Sequence, residues 1–507
     1  MAFIRSRLKF FLTGTGIVVL IALAVFALHM LTNHNYGFHR DELSTVDSAR
    51  FLDWGYVDYP PMTPFLARIG LDVFGLSPTG IRLFAALAQS VVIVLAGLMT
   101  RELGGGGKAQ ILAAVAAGTA PFAILMGAVL LYSSIDMVWW ALTAYLLIRL
   151  LKSDDPRWWL GIGAAIGLGM MTKYTMGLCV IGLGLGIVLT PARKYLKSPW
   201  LYAGAGVAVL ICLPNLIWQA QHNFISLAFL SSIHARDIGE GRTDNFLLGQ
   251  LYQNANAFAL PIWIAGLAFY FFRDDGRPYR ALGWIWLISF VILAATLGRS
   301  YYLASAYPML LSAGAVVWER WLASLSAGWA RSVEGVTWAG VGIAAALFGM
   351  VSLPLAPINS GLWKLDARIH DLFTEQIGWQ ELTRTVADIY HNLPPEDRAR
   401  AAILAGNYGE AGAIDLYGKA YGLPDVIAGV NTYWYRGYPN PPPLVVIVVG
   451  WSQSDVAHAT ADCTLAGHNG NPYGVINEES RDHPDIFVCR NLRVNWPEFW
   501  KTLQYFG

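Results

Sequence analysis

Long apolar runs recur between residues 10 and 354, and they constrain the fold of this chain more than any other feature. About 20 consecutive, mostly apolar residues suffice to cross a bilayer as a helix. Eleven runs approach or reach this length, at 10–32, 80–100, 109–130, 134–151, 159–173, 175–190, 199–218, 257–272, 281–298, 302–319 and 333–354. The fifth and sixth are short. The sequence therefore predicts a polytopic α-helical membrane protein with about 11 transmembrane helices.

The composition also favours lipid as the solvent. The chain is 55% hydrophobic and 14% charged, whereas soluble domains carry about 25% charged residues. A single soluble core would not hold this much apolar material, because such cores stop growing near ~250–300 residues. The formal net charge of +1 gives no sign of a nucleic-acid partner. The basic residues Arg5, Arg7 and Lys9 precede the first run, as in a signal peptide, but no small-residue cleavage site follows. We therefore expect a retained first helix.

Lysine and arginine counts in the short loops predict the orientation, because cytoplasmic loops carry the excess. One set of loops is rich in these residues, which are Arg5, Arg7, Lys9, Arg101, Lys108, Arg149, Lys152, Arg157, Arg193, Lys194, Lys197, Arg273, Arg277, Arg280, Arg320 and Arg331. The opposite set is longer and holds fewer, namely Arg40, Arg50, Arg68, Lys173, Arg236, Arg242 and Arg299. The N-terminus is therefore predicted to be cytoplasmic, and the loops 33–79 and 219–256 and the tail after about 355 to lie outside.

The tail is predicted to form a separate, small α/β domain at 355–507, after a membrane domain at 1–354. Its pattern alternates helices at 379–393 and 409–422 with strands at 401–405, 444–449 and 486–489. Residues Pro354 to Pro357 are a candidate linker.

Four cysteines fall into two pairs. Cys463 and Cys489 lie in the polar tail, and an oxidising compartment would join them in a disulfide. Cys179 and Cys212 lie in apolar segments and are expected to be inert packing residues. The tail disulfide is therefore a prediction that depends on the predicted orientation.

Ionisable residues concentrate at the predicted outer interface. The loop 33–79 holds five carboxylates within eighteen residues: Asp41, Glu42, Asp47, Asp53 and Asp58. In a purely structural interpretation, the first two lie in the first turn of a surface helix, where the helix dipole favours negative charge.

Three more ionisable residues lie at the outer ends of predicted spans. Asp136 is at the end of the fourth, Lys173 at the end of the fifth and Arg299 at the end of the ninth. Charges at membrane depth are costly and usually mark a site or a pathway, although the two cations could also snorkel to the surface. Transfer from a lipid phosphate needs a carboxylate to take the proton of the attacking group and cations to stabilise the departing phosphate. These residue types suit that chemistry.

Several stretches resemble bacterial family-39 glycosyltransferases, which are related to the protein O-mannosyltransferases and the lipid A aminoarabinose transferases. They are Phe38-His39-Arg40-Asp41-Glu42-Leu43, residues 53–61, Ser134-Ile135-Asp136, Met171-Thr172-Lys173, Tyr301-Tyr302-Leu303 and Tyr307-Pro308. In the tail, residues 406–412 and 415–418 resemble a bacterial subgroup. The resemblance covers nearly the whole chain, and the acidic pair at 41 and 42 is its most specific element.

The resemblance implies a GT-C fold with juxtamembrane helices in the outer loop, a multi-pass location in the bacterial inner membrane and a periplasmic C-terminal domain. It further implies a polyprenyl-phosphate sugar donor and inversion at the anomeric carbon. It assigns Asp41 as catalytic base, Glu42 as its partner in acceptor or donor binding, and Asp136 as the second acidic residue of the site. It places Lys173 and Arg299 at the donor phosphate, and the substrate pocket at His39, Tyr59, Tyr301 and Tyr302. One departure concerns Tyr59, because the aminoarabinose transferases carry a phosphate-binding lysine there. Phosphate binding would then depend on Lys173, Arg299 or Arg68.

Several alternatives stay open at this point. The donor sugar could be mannose, galacturonic acid, arabinose or another hexose, and the acceptor a protein, lipid A, an outer polysaccharide or a glycolipid. No cofactor is certain, although His39, Asp41 and His222 are conceivable ligands of a divalent metal. In the second outer loop, substrate contacts or simple solvation would explain the polar residues His222, Asn223, Asp237, Glu240 and Asp244. A secondary transporter and a non-catalytic membrane scaffold are the competing functions, but no internal repeat supports the former.

Overall fold

A computed structural model describes residues 13–507. The basic residues Arg5, Arg7 and Lys9, which entered the prediction of orientation, lie outside this range, as does the start of the first predicted span. The described chain comprises an apolar helical bundle, two outer loops with helices of their own, and a C-terminal domain with a five-stranded sheet.

The first sixteen helices form the bundle and its loops. They are α1 (Gly14–Thr32), α2 (Arg40–Ser48), α3 (Met62–Phe74), α4 (Pro78–Glu102), α5 (Gly107–Gly118), α6 (Pro121–Ala128), α7 (Tyr132–Ser153), α8 (Trp158–Met170), α9 (Met176–Val188), α10 (Pro199–Gln221), α11 (Ile225–Gly239), α12 (Phe246–Tyr252), α13 (Leu260–Phe272), α14 (Arg280–Ala295), α15 (Tyr307–Ser324) and α16 (Ala327–Ser352). Short 3-10 turns lie at Pro191–Lys197, Ala257–Ala259, Arg277–Tyr279 and Ser300–Ala306.

In the described part of the chain, every predicted apolar segment coincides with helix, but the expected number of eleven spans is not confirmed. Within residues 13–507, six helices are long and apolar enough to cross a membrane alone, namely α1, α4, α7, α10, α14 with the turn before it, and α16. Three bent pairs raise the number to nine if each pair is one span. One is α5 with α6, which meet at 62° because Pro121 starts a new helix. The protein is therefore a multi-pass helical membrane protein, and the count of eleven is not confirmed.

The structure sorts the loops into the two sets expected from the basic residues. At one end, ion pairs join Lys152 to Glu102 at 3.0 Å, Lys194 to Asp154 at 2.6 Å, and Lys108 to Glu334 at 2.7 Å. These contacts connect four loops of the predicted cytoplasmic set. The outer loops and the C-terminal domain meet at the other end.

Glycines allow close contact between the spans. A Cβ atom on Gly163 would lie 1.9 Å from the carbonyl oxygen of Gly204, and one on Gly182 would lie 2.7 Å from Cα of Ile285. Helices α8 and α10, and α9 and α14, therefore approach each other backbone to backbone, which is a common way for helices to associate in lipid.

The C-terminal part begins with α17 (Gly361–Ile369) and α18 (Trp379–His391). It continues with α19 (Pro395–Arg398), β1 (Ala401–Ala405), α20 (Tyr408–Tyr417), β2 (Ile427–Ala428), β3 (Val445–Val449), α21 (Gln453–Ala459), β4 (Thr460–His468), α22 (Glu478–Asp482), β5 (Asp485–Leu492) and α23 (Trp496–Thr502). Three further 3-10 turns lie at Thr374–Gln376, Gly418–Tyr421 and Asn431–Arg436. The strand order is β2-β1-β3-β5-β4.

The sheet is parallel on one side and antiparallel on the other. Strands β2, β1 and β3 run parallel, whereas β5 pairs antiparallel with β3 and β4. Cys463 on β4 lies opposite Cys489 on β5, and the two form the expected disulfide. The prediction of a small α/β domain is confirmed.

The C-terminal domain rests directly on the first outer loop. A Cβ atom on Gly409 would lie 3.0 Å from Cβ of Arg40, and one on Gly412 would lie 2.7 Å from the carbonyl carbon of Leu43. The two glycines therefore let α20 lie against α2. The candidate linker is also fixed, because Tyr36 donates a hydrogen bond to the carbonyl of Ala356. The contact between α20 and α2 brings the tail next to the acidic pair Asp41 and Glu42.

Candidate active site

Helix α2 presents the acidic pair, and its start is fixed by a capping box. The ring nitrogen Nδ1 of His39 accepts a hydrogen bond from the amide of Asp41 at 3.1 Å, and Glu42 accepts one from the amide of His39 at 2.9 Å. Such reciprocal bonds satisfy donors that a helix start leaves unpaired. The side chains of Asp41 and Glu42 consequently leave the first turn of α2 in fixed and different directions.

Glu42 is fully buried and has no access to a substrate. Arg82 of α4, also fully buried, pairs with it at 2.6 Å, and the amide of Leu130 donates to it at 2.8 Å. Arg82 further donates to the carbonyls of Asn33 and Gly37, each at 2.7 Å. We therefore correct the expected role of Glu42 from substrate contact to support of the loop, because its oxygens are already engaged.

The other carboxylates of the first outer loop also have structural partners. Asp47 is buried and pairs with Arg50 at 2.8 Å and with Arg436 of the tail. Asp53 accepts from the indole of Trp218 at 2.7 Å. Asp58 faces Thr432 of the tail at 3.4 Å. Four of the five carboxylates, all except Asp41, therefore contact structural partners in the loop, the bundle or the tail.

Asp41 differs, because 36% of its side chain is exposed. The hydroxyl of Tyr408, at the start of α20, donates to its Oδ1 at 2.9 Å. The same hydroxyl accepts from Nε of Arg40 at 3.1 Å. The tail therefore orients this carboxylate and leaves it partly open.

Neighbouring charges keep Asp41 ionised. Burial raises the pKa of its carboxyl, but His39 and Arg40, the hydrogen bond from Tyr408 and the charge of Arg299 outweigh burial and hold that pKa below its usual value. Burial lowers the pKa of His39. A carboxylate that stays ionised and exposed can accept a proton from an approaching group.

Lys173 lies between α8 and α9 in an aromatic cage. Its Nζ lies 4.8 Å from the ring centre of Tyr302, 5.1 Å from that of Tyr132 and 5.4 Å from that of Tyr301. It donates to Ser133 at 2.8 Å, and within the described chain no carboxylate oxygen lies within 4.0 Å of it. The ammonium group is therefore held in place without an ion-pair partner, so it remains able to pair with an anion.

Asp136 is buried in α7 rather than facing Asp41. Its Oδ2 accepts from Ser305 at 3.0 Å and from Thr175 at 3.4 Å. Its charge acts on Lys173. The position suits a distant counter-charge of Lys173 better than the second catalytic acid that the sequence suggested.

Arg299 is already paired in the structure. Its Nε donates to Oδ2 of Asp237 at 2.6 Å, and its Nη2 contacts the other oxygen. Asp237 is buried at the end of α11, so the interpretation of this residue as a solvated loop residue is wrong. Because the bidentate pair uses the N–H donors along one edge of the guanidinium, only its remaining donors are free for an anion.

Two of the predicted pocket residues, Tyr301 and Tyr302, contact Lys173. Tyr301 stacks on Phe122 with ring centres 5.2 Å apart and meets Tyr302 edge-on at 4.7 Å. Tyr59 is buried 6.1 Å from Tyr132, centre to centre, and donates to Ser48. Tyr59, which replaces the lysine of the aminoarabinose transferases, thus adjoins the ring that contacts Lys173.

The conceivable metal site is not formed by the predicted ligands. His222 stacks on Trp218 with ring centres 3.9 Å apart, and its Nδ1 contacts the carbonyl of Trp218. Among residues 13–507, no three His, Cys, Asp or Glu side chains converge as metal ligands. We therefore derive no step through a metal.

The structure adds residues that the sequence analysis missed. Tyr408 and Arg40 touch Asp41 or its partner, Arg82 fixes Glu42, and Tyr132 and Ser133 contact Lys173. Only Arg82 could have been found from the sequence, because it is an arginine in the first turn of a predicted apolar span. The others depend on contacts between segments far apart in sequence.

Comparisons with known proteins relate the chain to membrane glycosyltransferases. The family model "Dolichyl-phosphate-mannose-protein mannosyltransferase" matches residues 58–218. The lipid A galacturonosyltransferase RgtD of Rhizobium johnstonii is 24% identical over 57% of this chain and 61% of its own length. The undecaprenyl phosphate-α-4-amino-4-deoxy-L-arabinose arabinosyl transferase 1 of Pseudomonas fluorescens is 27% identical over 41% of this chain. The chain thus spans less than two thirds of either relative, 61% and 40% respectively.

A solved structure covers nearly all of the chain. ArnT from Cupriavidus metallidurans, bound to undecaprenyl phosphate, superposes with a TM-score of 0.59 at 16% identity, over 94% of this chain and 98% of that one. At this identity the likeness establishes the fold alone. The resemblance drawn from the sequence motifs and the GT-C fold are thereby confirmed.

Proposed function

We propose that this chain, a relative of the GT-C membrane glycosyltransferases, transfers a sugar from a polyprenyl-phosphate donor to an acceptor at the outer face of the bacterial inner membrane. One observation carries the proposal: the cations Lys173 and Arg299 both lie over the ring of Tyr301, 5.4 and 5.9 Å from its centre, and the partly exposed carboxylate Asp41 is near enough for the charge of Arg299 to lower its pKa. The two relatives are named for a lipid A substrate and an undecaprenyl-phosphate substrate, respectively. They support the same substrate class here.

Asp41 is proposed as the general base. It takes the proton of an acceptor hydroxyl or amine, whose oxygen or nitrogen bonds to the anomeric carbon of the donor. The bond from that carbon to the phosphate oxygen breaks, and polyprenyl phosphate leaves with the electron pair. A single displacement inverts the anomeric centre. A positioned base of this kind contributes roughly 10²–10⁴-fold in rate.

Lys173 is proposed as the principal ligand of the donor phosphate. Its ammonium has no carboxylate partner within 4.0 Å among the described residues, and the rings of Tyr302, Tyr132 and Tyr301 hold it in place. The free donors of Arg299 assist, with Asp237 fixing its plane. Charge placed where the phosphate departs lowers the barrier without reorganisation. This assignment removes the need for a lysine at Tyr59.

The orientation belongs to the same proposal. The loops rich in lysine and arginine would face the cytoplasm, and the active site and tail the periplasm. The tail disulfide between Cys463 and Cys489 supports an oxidising compartment for that side.

The test is Asp41→Asn in the purified full-length protein. We expect normal membrane insertion and a fall in sugar transfer of at least about 100-fold, measured as release of polyprenyl phosphate from a panel of polyprenyl-phosphate sugars with native membranes as acceptor. Asp72→Asn is the matched control, since Asp72 is an exposed carboxylate of the same outer loop, paired with Arg68. It should retain activity. A scaffold function predicts that neither variant has a phenotype, and unchanged transfer by Asp41→Asn would overturn the proposal.

A further inference from the structure

A cavity of about 720 Å³ lies in the C-terminal domain, outside the site described above. Residues that follow β1, Gly406 and Asn407, and residues that follow β3, Gly450 and Trp451, line it. Strand β1 pairs with β2 on one side and with β3 on the other, all parallel. The cavity is therefore at the carboxyl ends of the strands, at the point where the strand order reverses, which is where open α/β sheets bind their ligands. Its volume is also within the range of small-molecule pockets, roughly 300–1,000 Å³.

Two buried carboxyl groups with unpaired oxygens face this cavity. Glu410, in the first turn of α20, is fully buried, and neither of its oxygens has a hydrogen-bond partner. Glu479 of α22 is also buried, and its Oε2 has no partner while its Oε1 pairs with Arg40 at 3.4 Å. Buried polar groups are rarely left unpaired in a native protein. Three unpaired acceptor oxygens lining one cavity therefore indicate a ligand that donates hydrogen bonds.

The backbone is shaped around one of these groups. Gly450 has φ +75°, and a Cβ atom there would lie 2.0 Å from Oε2 of Glu410. Burial raises the pKa of Glu410 well above its usual value, and the charge of Glu479 adds to this effect. The carboxyl group is therefore costly to bury as an anion, and a cationic partner would relieve that cost.

The remaining lining suits a hydroxylated cation better than an anion. Five carboxyl groups line the cavity, against two imidazoles, of His458 and His483, and one guanidinium, that of Arg493, which already donates to the carbonyl of Ala457. Aromatic walls come from Trp451, Phe499 and Tyr505. Aromatic faces attract ammonium groups, and acidic side chains accept hydrogen bonds from hydroxyl and ammonium donors.

We propose that this cavity binds an amine-bearing saccharide, whose ammonium group is held by Glu410 and Glu479. The proposal rests on the proposed glycosyl transfer in one respect: the saccharide would be part of the acceptor. A short path of contacts supports that role, because Glu478 and Glu479 line the cavity and pair with Arg40. Arg40 donates to Tyr408, and Tyr408 donates to Asp41. Only the side chains of Arg40 and Tyr408 would therefore separate an acceptor held in the tail from the proposed base.

The binding test compares two sugars that differ in the amine. Isothermal titration calorimetry with the full chain in detergent, and no donor present, would use a trimer of glucosamine and the same trimer N-acetylated. We expect the amine form to bind roughly tenfold or more tightly, because acetylation removes the charge. Equal affinity of the two trimers, or no binding of the amine form, would overturn the proposal.

Variants locate the site within the domain. Glu410→Gln keeps the shape of the side chain and should weaken binding of the glucosamine trimer about tenfold or more. Thr502→Trp, which adds bulk at an exposed position of the cavity lining, should abolish binding and serves if Glu410→Gln fails to fold. Asp462→Asn, an exposed carboxylate on β4 of the same sheet, is the matched control. Binding that neither cavity variant reduces would place the sugar elsewhere.

The two proposals fail separately. Asp41→Asn should bind the glucosamine trimer as the native chain does, because the cavity needs no catalysis. Binding of the trimer without any sugar transfer would contradict the proposed function alone. Transfer with no binding of the trimer would contradict the cavity proposal alone.

Discussion

Asp41 and Glu42 are neighbours in the sequence but have opposite surroundings. Glu42 has no exposed surface and is held by Arg82, whereas 36% of the side chain of Asp41 is exposed. The difference follows from the first turn of α2, where successive side chains point about 100° apart around the helix axis. One carboxylate therefore anchors the loop and its neighbour remains available for chemistry. In this pair of adjacent acids, Glu42 has a structural role and Asp41 the proposed chemical one.

Lys173→Met tests the proposed phosphate ligand. Methionine fills a similar volume between the tyrosine rings but carries no charge, so we expect kcat/KM for the donor to fall about 10²–10³-fold, the usual loss when one stabilising group is removed. The measurement is sugar transfer at several donor concentrations. Lys152→Met is the control, since this exposed lysine at the opposite end of the bundle pairs with Glu102. A loss below about threefold for Lys173→Met would assign the phosphate to another residue.

The raised pKa of the buried Asp58 carboxyl leads us to expect that donor binding depends on pH. Burial raises the pKa of its carboxyl to about 7, and the nearby charge of Asp41 also raises that pKa. The group is therefore neutral below about pH 7 and ionised above it. Ionisation adds negative charge beside the site, so KM for the anionic donor should rise as the pH increases from about 6 to about 8. Asp58→Asn should remove this rise, whereas Asp72→Asn on the exposed surface should not.

Several residues of the site could not be predicted from their sequence context. Tyr408 reaches Asp41 across 367 positions and Arg436 reaches Asp47 across 389. No local pattern encodes such pairs. The residues expected from the resemblance, Asp41, Lys173 and Arg299, do share one region, but the structure alone shows that Arg299 is bound by Asp237.

At the scale of elements, the positions of strongly patterned segments were predicted well. The bend between consecutive helices was not predicted. The strand predicted at 401–405 is observed at Ala401–Ala405, and that at 444–449 at Val445–Val449, because apolar runs bounded by polar and proline residues define both. The single span expected at 109–130 is two helices that meet at 62°. Hydropathy measures whether a segment is apolar, whereas proline position and packing determine where the helix axis turns.

The interface between α2 and α20 is tested by Gly412→Val. The added side chain would start 2.7 Å from the backbone of Leu43, which cannot move aside as a side chain can. We expect the tail to shift away from Asp41 and transfer to fall about 100-fold, since small displacements in a site have losses of this order. Limited proteolysis should show an intact tail domain. Gly361→Ala, where a Cβ meets nothing within 4 Å, is the control, and full activity of Gly412→Val would show that this contact is dispensable.

At the scale of the whole molecule, the two ends of the bundle differ in charge and in structure. One end is closed by short loops that ion pairs join, such as Lys194 with Asp154. The other carries the outer loops, the site and the disulfide-linked domain. Because the proposed donor is a membrane lipid, a site at this end meets the donor at the bilayer surface and the acceptor from the aqueous side. The sequence predicted this division because the positive-inside bias belongs to whole loops and does not depend on individual contacts.

The orientation predicts which positions a membrane-impermeant thiol reagent reaches in intact inner-membrane vesicles with the periplasmic face outward. Gly470→Cys, exposed in the tail, should be labelled, whereas Asp274→Cys, in an exposed loop at the opposite end, should be labelled only after the membrane is permeabilised. The tail cysteines do not interfere, because they are joined to each other, and Cys179 is buried. Cys212→Ser removes the half-buried thiol in both variants. The reverse labelling pattern would place the proposed active site on the cytoplasmic side, where the lysine-rich loops are expected instead. That result would contradict sugar transfer at the outer face.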